Sequence, residues 1–597
     1  MKRALVPLAA ACSLLLSLPV FAQAPGSVGQ GTPVPGGAIP GLPTGAPRPG
    51  APPRDTARTA VTGTAIVRGR VLAAEAPNGL RRAQISLSRV DAAQPGQQYR
   101  RVTTTDAEGR FQFGDLPAGR FSITADKAGY VALQYGQRRP YEAGTPVTLS
   151  DGETLDRVDF MLPRGSVISV RVTDEFGEPV AGVQVQVQRY QYGTDGQRRL
   201  TTAGNQTPFA TTDDRGEFRA FGLMPGEYVV LASMRTLGGG MATGSGPNDV
   251  NEGFAPTFYP GTLSADQAQP LTLGIGQEQA IQFALIASRL GRISGTVVDS
   301  TSQPAVGAEL TLITVSGSGS SSRPVGTVGP NGEFTVTGVA PGEHTLSVNY
   351  SRPGRSSEFA GLPIVVGTGD LAGLRLTLGG GATISGRVVF EGNTPRTGGG
   401  SPRVAAQQSD PRRAFLFFGG STDPLSNGTI GEDGSFKLSG QTGRAFLSVV
   451  PLPAGWSVKS VIHDGMDITN VPLDLNEAAA VSDVRITLTD KITTVAGHVT
   501  DSRGQAMTDY VVVIQPAEQK EAVIAARLIR VARPDTRGRF EVRNVRPGRY
   551  VATAIEALEQ GRQYSPEFQK ELRRGAREFT LKEGETIAVD LRLTTGL

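Results

Sequence analysis

Polar and aromatic side chains suited to binding a ligand lie together in residues 183–192. Valines alternate there with other residues, which predicts a β-strand whose valines face a core. The outward stripe then consists of five side chains, those of Gln184, Gln186, Gln188, Tyr190 and Tyr192. Aromatic faces can stack on sugar rings while amides bond hydroxyl groups, so this stripe is a candidate glycan-binding surface. The same alternation also describes the ordinary solvated face of a sandwich, and both interpretations stay open.

A second candidate is the segment 461–467, where His463, Asp464 and Asp467 are residue types that can bind a metal ion. Three such residues in one turn, without a second cluster, favour a hairpin turn over a metal site. Asp213 and Asp214 lack the alternating oxygen ligands of a calcium loop. We therefore predict no metal site.

Aromatic residues elsewhere allow two interpretations each. The aromatics of residues 254–261 follow a glycine-rich loop at residues 238–246, and together they could shape a pocket or anchor a long connection onto a sheet. Tyr130, Tyr135 and Tyr141 could present their rings to a ligand or seal a joint between domains.

The elements that position these side chains follow from a repeated motif of Asp, Gly and Phe. An Asp that opens a turn can bond its own backbone two residues on, the Gly takes a positive φ, and the Phe points inward. A Pro–Gly element follows in four copies and predicts a type II turn. The copies lie roughly 100 to 115 residues apart, which indicates five tandem domains of one kind. They occupy residues 105–111, 212–218, 332–334, 433–436 and 538–540.

Alternating runs between these turns, with little helical periodicity, predict an all-β chain of antiparallel sandwiches. One exception is the segment 566–574, where Phe568 and Leu572 would share one face of a short helix.

The order of these elements resembles a known family. Opening strands such as residues 295–299 and 497–501, the segment 177–183, the turn cluster and the Pro–Gly turn are similar to the carboxypeptidase regulatory-like domain of bacterial secreted proteins. That resemblance implies a prealbumin-like (transthyretin-type) β-sandwich related to Cna B-type modules. The second copy departs from the pattern at Val170, where the opening strands of the other copies have glycine.

The family name does not imply peptidase activity here. A metallocarboxypeptidase holds zinc through His-x-x-Glu and a distant His, and none of His344, His463 and His498 begins such a motif. The sequence has neither a Gly-x-Ser-x-Gly elbow nor a Walker-type phosphate loop. We therefore predict no enzymatic activity, with no catalytic residues and no cofactor.

Composition bounds the partners and the compartment. The 597 residues carry a formal net charge of +4, and no basic block with interleaved aromatics appears, so nucleic-acid binding is not predicted. Lys2 and Arg3, followed by an apolar stretch and a small-residue exit near Ala22, predict a secretory signal peptide. The single cysteine, Cys12, lies inside it. No later stretch is apolar enough to predict a membrane span.

These observations together predict an all-β tandem array of about five prealbumin-like antiparallel β-sandwiches. The predicted organisation is a signal peptide (1–22), a disordered Pro/Gly-rich linker (23–64), carboxypeptidase regulatory-like domains 1, 2 and 3 (65–162, 167–286 and 291–378), a divergent β-sandwich domain 4 (382–488) and carboxypeptidase regulatory-like domain 5 (492–597).

The expected function is that of an exported, periplasmic or extracellular, non-catalytic binding or spacer protein. Its expected partner is a polysaccharide or an envelope protein. The alternatives are a structural scaffold for protein partners and an accessory subunit of a separately encoded peptidase.

Overall fold

The computed structural model describes residues 63–90, 99–139, 141–203, 211–234, 252–316, 319–352, 357–395, 401–409, 427–475, 480–518, 520–535 and 537–596. The predicted signal peptide, almost all of the predicted linker and the glycine-rich loop at 238–246 lie outside these residues. All described residues belong to one compact unit, Val61–Leu597.

Five large clusters of buried apolar side chains follow one another along the chain, and we call the segments that contain them the first to fifth repeats. Their members fall within residues 65–162, 168–285, 293–378, 382–488 and 495–591. Each repeat therefore buries a core of its own, as a chain segment of about 100 residues can. The predicted all-β array of sandwiches is confirmed.

The repeats share one strand plan. In the first repeat, Ala65–Ala73 pairs antiparallel with Arg110–Leu116 and parallel with Phe160–Leu162. The opening strand of every other repeat also pairs antiparallel with the strand after the Asp–Gly turn and parallel with the closing strand. This parallel pair was not part of the predicted antiparallel sandwich.

The first and third repeats each form two separate sheets, and the second repeat forms three. The strands of the first are Ala65–Ala73, Gln84–Arg89, Arg100–Thr104, Arg110–Leu116, Gly119–Asp126, Leu133–Gln134, Val147–Leu149, Thr154–Leu155 and Phe160–Leu162. Those of the second are Ser166–Thr173, Val183–Tyr192, Arg198–Thr202, Glu217–Leu223, Gly226–Met234, Glu252–Ala255, Thr257–Phe258, Leu271–Leu273, Glu278–Ala284 and Ile286–Arg289, with a 3-10 turn at Ala265–Gln267. Those of the third are Gly291–Val298, Glu309–Ser316, Gly319–Thr327, Glu333–Val339, Gly342–Tyr350, Glu358–Val366 and Leu371–Thr377.

In each of the last two repeats the strands join into one sheet. The fourth contains Ala382–Glu391, Arg403–Gln408, Asn427–Ile430, Ser435–Gln441, Arg444–Val450, Ser457–His463, Met466–Asp467, Leu473–Asp474 and Ala480–Thr489. The fifth contains Thr494–Thr500, Val511–Pro516, Arg530–Ala532, Arg539–Arg543, Gly548–Ile555, Arg577–Leu581, Thr586–Ala588 and Leu591–Thr594, with helices Ala522–Leu528 and Pro566–Arg573 and a 3-10 turn at Arg562–Tyr564.

The predicted helix near residue 566 is confirmed, and Phe568 and Leu572 are both buried. The helix Ala522–Leu528 was not predicted. Within the described part of the chain, no helix has the length and apolar character needed to cross a bilayer.

The repeated turns have the predicted Asp and Gly chemistry. One carboxylate oxygen of Asp106 accepts hydrogen bonds from the backbone N–H groups of Glu108 and Arg110, at 3.0 and 2.7 Å. Asp213 does the same two and four residues on. The glycines that follow have φ between 71° and 83° in all five copies, as such a turn requires.

The Pro–Gly turns differ from the prediction. Their glycines have φ between 143° and 157°, far from the value of about 80° at the third position of a type II turn. They begin the next strand instead of closing a four-residue turn, as Gly119–Asp126 and Gly226–Met234 show.

Val170 stands in place of glycine in the second repeat, whose closing strand pairs with the opening strand without a break in register. A Cβ on Gly69, or on its counterpart in the third to fifth repeats, would lie only 1.9 to 2.2 Å from a carbonyl oxygen of the neighbouring strand. In the second repeat the seven opening-strand residues from Val167 to Thr173 pair with the closing strand, residues 278–284, in unbroken register. Val170 is buried at this position, with only 2% of its surface exposed.

Candidate functional site

The predicted stripe lies on the strand Val183–Tyr192, whose Val183, Val185 and Val187 side chains are buried in the core. The prediction of an inward valine face is therefore correct. Of the five stripe residues, Gln184, Gln186, Tyr190 and Tyr192 are half-buried. Gln188 is completely buried, and its amide nitrogen donates to the side-chain oxygen of Gln186 at 2.7 Å. Gln188 is therefore not available to a ligand, which corrects its assignment to a solvated stripe.

A second apolar layer covers part of this outward face. Leu200, Val229, Leu231 and Phe258 form a small buried cluster against which Tyr190 packs. The strand Thr257–Phe258 adds to the same sheet beside Gly226–Met234. The alternation pattern could not predict this layer because the covering segment lies far along the chain from the stripe.

One arginine, Arg198, lies beside both tyrosines of the stripe. The guanidinium of Arg198 lies over the ring of Tyr190, 4.1 Å from its centre, and Arg198 pairs with Tyr192 across the hairpin. A cation over a ring leaves that face unavailable for stacking on a sugar unless the arginine moves.

The far end of the stripe strand meets the fifth repeat. Arg189 forms an ion pair of 2.5 Å with Glu559, and Gln191 donates to the backbone oxygen of Gln560 at 2.8 Å. These residues are about 370 positions apart in the chain. The second repeat therefore contacts the fifth directly as well as its sequence neighbours.

Tyr141 of the first repeat completes this contact. The Arg189 guanidinium lies 3.5 Å from the centre of the Tyr141 ring, and the Tyr141 hydroxyl shares a short hydrogen bond with that of Tyr228. Burial raises the pKa of both phenols above the ordinary value of about 10. Both therefore stay protonated at neutral pH and act as neutral hydrogen-bonding groups. Of the two interpretations of Tyr141, the structure supports the sealing of a joint.

A buried ion pair joins the first and fifth repeats beside Tyr141. Glu142 and Arg533 are 3.2 Å apart, with side chains 5% and 10% exposed. Exposed pairs, Arg138 with Asp509 and Arg139 with Glu556, lie around them. We call this set of contacts among the first, second and fifth repeats the junction.

The segment 461–467 forms a two-residue hairpin. Ile462 pairs with Asp467 and His463 with Met466, while Asp464 and Gly465 take φ of 49° and 74°. Asp467 accepts from Thr469 instead of facing His463. Among the described residues, no group of three His, Cys, Asp or Glu side chains is placed to hold a metal ion.

The other aromatic candidates serve packing. In the segment 254–261, Phe254 and Tyr259 pack against the core of the second repeat, and the Tyr259 ring meets Phe283 edge to face at 5.8 Å. These aromatics anchor the connection onto the sheet. Tyr135 packs on Phe160, whereas Tyr130 lies under Arg164 at the joint between the first two repeats.

Four charged residues of the junction could not be predicted from the sequence; they are Glu142, Arg189, Arg533 and Glu559. Charged residues are common on any surface, and nothing local distinguishes these four. Only the adjacent Tyr141 gave a signal, as an aromatic residue that could seal a joint.

The fold and these sites define a multidomain protein built from prealbumin-like β-sandwiches. Comparison with known proteins agrees with the resemblance seen in the sequence. The family model of the carboxypeptidase regulatory-like domain matches residues 66–163 and 292–378. The first and third repeats are thus similar to the carboxypeptidase regulatory-like domain. No curated protein matches the chain.

Several solved structures are similar over parts of the chain. The Bacillus anthracis TIE protein is 14% identical, with 53% of this chain and 51% of that one covered and a TM-score of 0.15. A streptococcal ancillary pilin is 13% identical, with coverage of 52% and 98% and a TM-score of 0.19. The Bacillus cereus major pilin subunit BcpA is 10% identical, with coverage of 53% and 99% and a TM-score of 0.14. The chain therefore covers about half of the first protein, and TM-scores this low support no inference about function.

Proposed function

We propose that this chain is an exported, non-catalytic binding and spacer protein, and that its repeats form a scaffold with a defined internal arrangement. The observation that carries the proposal is the junction, where a buried Glu142–Arg533 ion pair and the Arg189–Tyr141 contact tie the fifth repeat to the first two. Such contacts set the geometry between repeats, which is what a spacer requires. The five separate cores support the predicted domains 65–162, 167–286, 291–378, 382–488 and 492–597 as its units.

Export is tested by fractionating cells that produce the chain and sequencing the N-terminus of the recovered protein. We expect the protein outside the cytoplasm, with its mature terminus at Gln23 after cleavage behind Ala22. A full-length protein confined to the cytoplasm would contradict the proposal.

The finer part of the proposal is that the binding partner is a polysaccharide of the envelope or the surroundings. The support is limited to the half-buried Gln184, Gln186, Tyr190 and Tyr192 on one face. The test is a pull-down of residues 61–597 on insoluble polysaccharides and peptidoglycan beside a Tyr190→Ala/Tyr192→Ala variant. A matched control is Tyr350→Ala, because Tyr350 is also half-buried and lies 4.4 Å below an arginine, Arg352.

Retention of the wild type and the control, with loss in the double variant, is the expected result. Equal retention of all three proteins would remove the stripe from the proposal and keep glycan binding. No retention on any matrix would leave the scaffold for protein partners, including a separately encoded peptidase, as the better interpretation.

A further inference from the structure

The first repeat has an arginine-rich groove on the outer face of its opening-strand sheet. The groove has a volume of about 890 Å³, within the range of ligand sites. Four arginines line it together with three aspartates and several neutral polar residues. The charged residues are Arg68, Arg70, Arg110, Arg157, Asp106, Asp156 and Asp159.

Two of these arginines oppose each other across the sheet. Arg70 of the opening strand pairs in register with Arg110 of its antiparallel neighbour, and both are exposed. Like charges directly opposite in a sheet destabilise it unless something lies between them.

The other repeats show that the fold does not demand this pair. In each repeat, the residue that corresponds to Arg70 is the one that follows the glycine (or Val170) aligned with Gly69. The corresponding pairs are Arg171 with Glu217, Thr296 with Glu333, Arg387 with Ser435, and His498 with Arg539. Only the first repeat places two arginines there.

Arg157 adds a third cation from the closing side of the sheet. It lies beside Val158, whose carbonyl approaches Gly69, and has φ of 64°. The matching residues are Gly373 in the third repeat and Asp483 in the fourth, with φ of 75° and 57°. The first repeat thus has an arginine in a backbone conformation that glycine or aspartate adopts at lower cost.

Within the described ranges, some charged side chains of the groove have hydrogen-bond or ion-pair partners and others have none. The guanidinium groups of Arg70, Arg110 and Arg157 have no ion-pair or hydrogen-bond partner among the residues that the structure describes, whereas Arg68 bonds Gln112 at 3.1 Å. Asp106 and Asp159 accept from backbone N–H groups at 2.7 and 2.8 Å. The guanidinium N–H groups of these three arginines are therefore unused donors, whereas two of the carboxylates of the groove already accept hydrogen bonds.

We propose that this groove binds an acidic polysaccharide with about one carboxylate per sugar. Arginine binds carboxylate with two parallel hydrogen bonds, so Arg70, Arg110 and Arg157 match successive carboxylates. Asp156, Gln112 and Thr104 supply partners for sugar hydroxyl groups. The interspersed aspartates repel a densely charged phosphate polymer, and this argues against nucleic acid. The inference rests on the proposal that the exported chain meets polysaccharide.

The test is calorimetric titration of residues 61–597 with a galacturonic acid oligomer, with its methyl ester and inorganic polyphosphate as comparison ligands. The variant is Arg70→Gln/Arg110→Gln. The matched control is Arg171→Gln/Arg219→Gln, which removes the same charge from the equivalent sheet face of the second repeat. Both variants remove exposed side chains, and losing the Arg70–Arg110 repulsion should leave the melting temperature unchanged or raised.

We expect the wild type and the control to bind the acid oligomer equally, and the Arg70/Arg110 variant to bind about tenfold more weakly or worse. Equal weakening of both variants, equal binding of the methyl ester, or tighter binding of polyphosphate would overturn the proposal. Absence of any binding to the acid oligomer would also overturn it. The polysaccharide pull-down would then still decide separately whether the chain binds other glycans.

Discussion

At the scale of the residue, the aspartates of the turns do most to define each repeat. Asp174, Asp299 and Asp501 follow their opening strands, and each accepts backbone hydrogen bonds two and four residues on. The same geometry recurs at Asp106 and Asp213 in the repeated Asp–Gly turns. A short carboxylate side chain is thus used repeatedly to replace a missing backbone acceptor.

We expect Asp299 to make the stability of the third repeat depend on pH. It is only 2% exposed, and hydrogen bonds from the Thr301 side chain and the Gln303 backbone, with Arg352 nearby, lower its pKa to about 2. Its pKa in the unfolded chain is about 3.9. Because the folded pKa is the lower one, this stabilisation is complete above about pH 4 and is lost as the pH falls through about 2.

We expect Asp299→Asn to reduce the stability of the third repeat at pH 7 and to flatten its acid dependence between about pH 4 and 2. The measurement is hydrogen exchange of peptides covering Gly342–Tyr350 and Glu358–Val366 in the full chain. Glu343→Gln, an exposed carboxyl group in the same repeat, serves as the control. An Asn variant with an unchanged acid profile would show that Asp299 does not carry this dependence.

At the scale of the element, the close contact between the opening and closing strands restricts the sequence. Gly295 has no room for a side chain, because a Cβ there would lie 2.1 Å from the carbonyl oxygen of Leu374. The register between these strands shifts at this point, whereas in the second repeat it does not. A glycine and an irregular closing strand therefore occur together.

Gly295→Val should destabilise the third repeat by about 1–3 kcal/mol or more, because backbone must move to admit the side chain. The same substitution at Gly367 is the control, since that position has open space and no left-handed φ. Calorimetric unfolding of the full chain should show an earlier transition only for the Gly295 variant. Equal effects of the two substitutions would show that the close strand contact does not decide the outcome.

At the scale of the whole described chain, the junction makes repeats that are distant in sequence into neighbours. Arg138 and Asp509, which lie 371 residues apart, are 2.7 Å from each other. The exposed pairs contribute little individually, because water and salt screen them. Glu142–Arg533 differs, because removing one partner leaves the other charge buried.

Glu142→Ala should weaken the junction by about 3–5 kcal/mol, the usual consequence of leaving one buried charge without its partner. The measurement is the distance distribution between spin labels at Thr148→Cys and Thr586→Cys, both exposed, in a Cys12→Ser background. We expect a narrow distribution that broadens in the Glu142 variant. Glu108→Ala, an exposed acid of the first repeat, is the control.

A distribution that stays narrow in the Glu142 variant would show that other contacts hold the junction. A distribution that is already broad in the unsubstituted chain would contradict the fixed arrangement on which the spacer proposal depends.

The sequence by itself determined the class of fold, the number of repeats and the chemistry of the Asp–Gly turns. These depend on neighbours a few residues apart: Asp106 bonds Glu108 and Arg110, and the inward Phe follows from alternation along one strand. The inward valines of the strand Val183–Tyr192 were predictable for the same reason.

Only the tertiary structure decided which outward side chains remain accessible and which meet another repeat. Gln188 is buried and Arg189 is paired with Glu559 because segments far along the chain return to that strand. The arginine groove likewise gathers side chains from three strands and two loops that are separated in the sequence. Such contacts depend on how sheets and repeats pack, and a local pattern of residue types contains no information about what will cover its outer face.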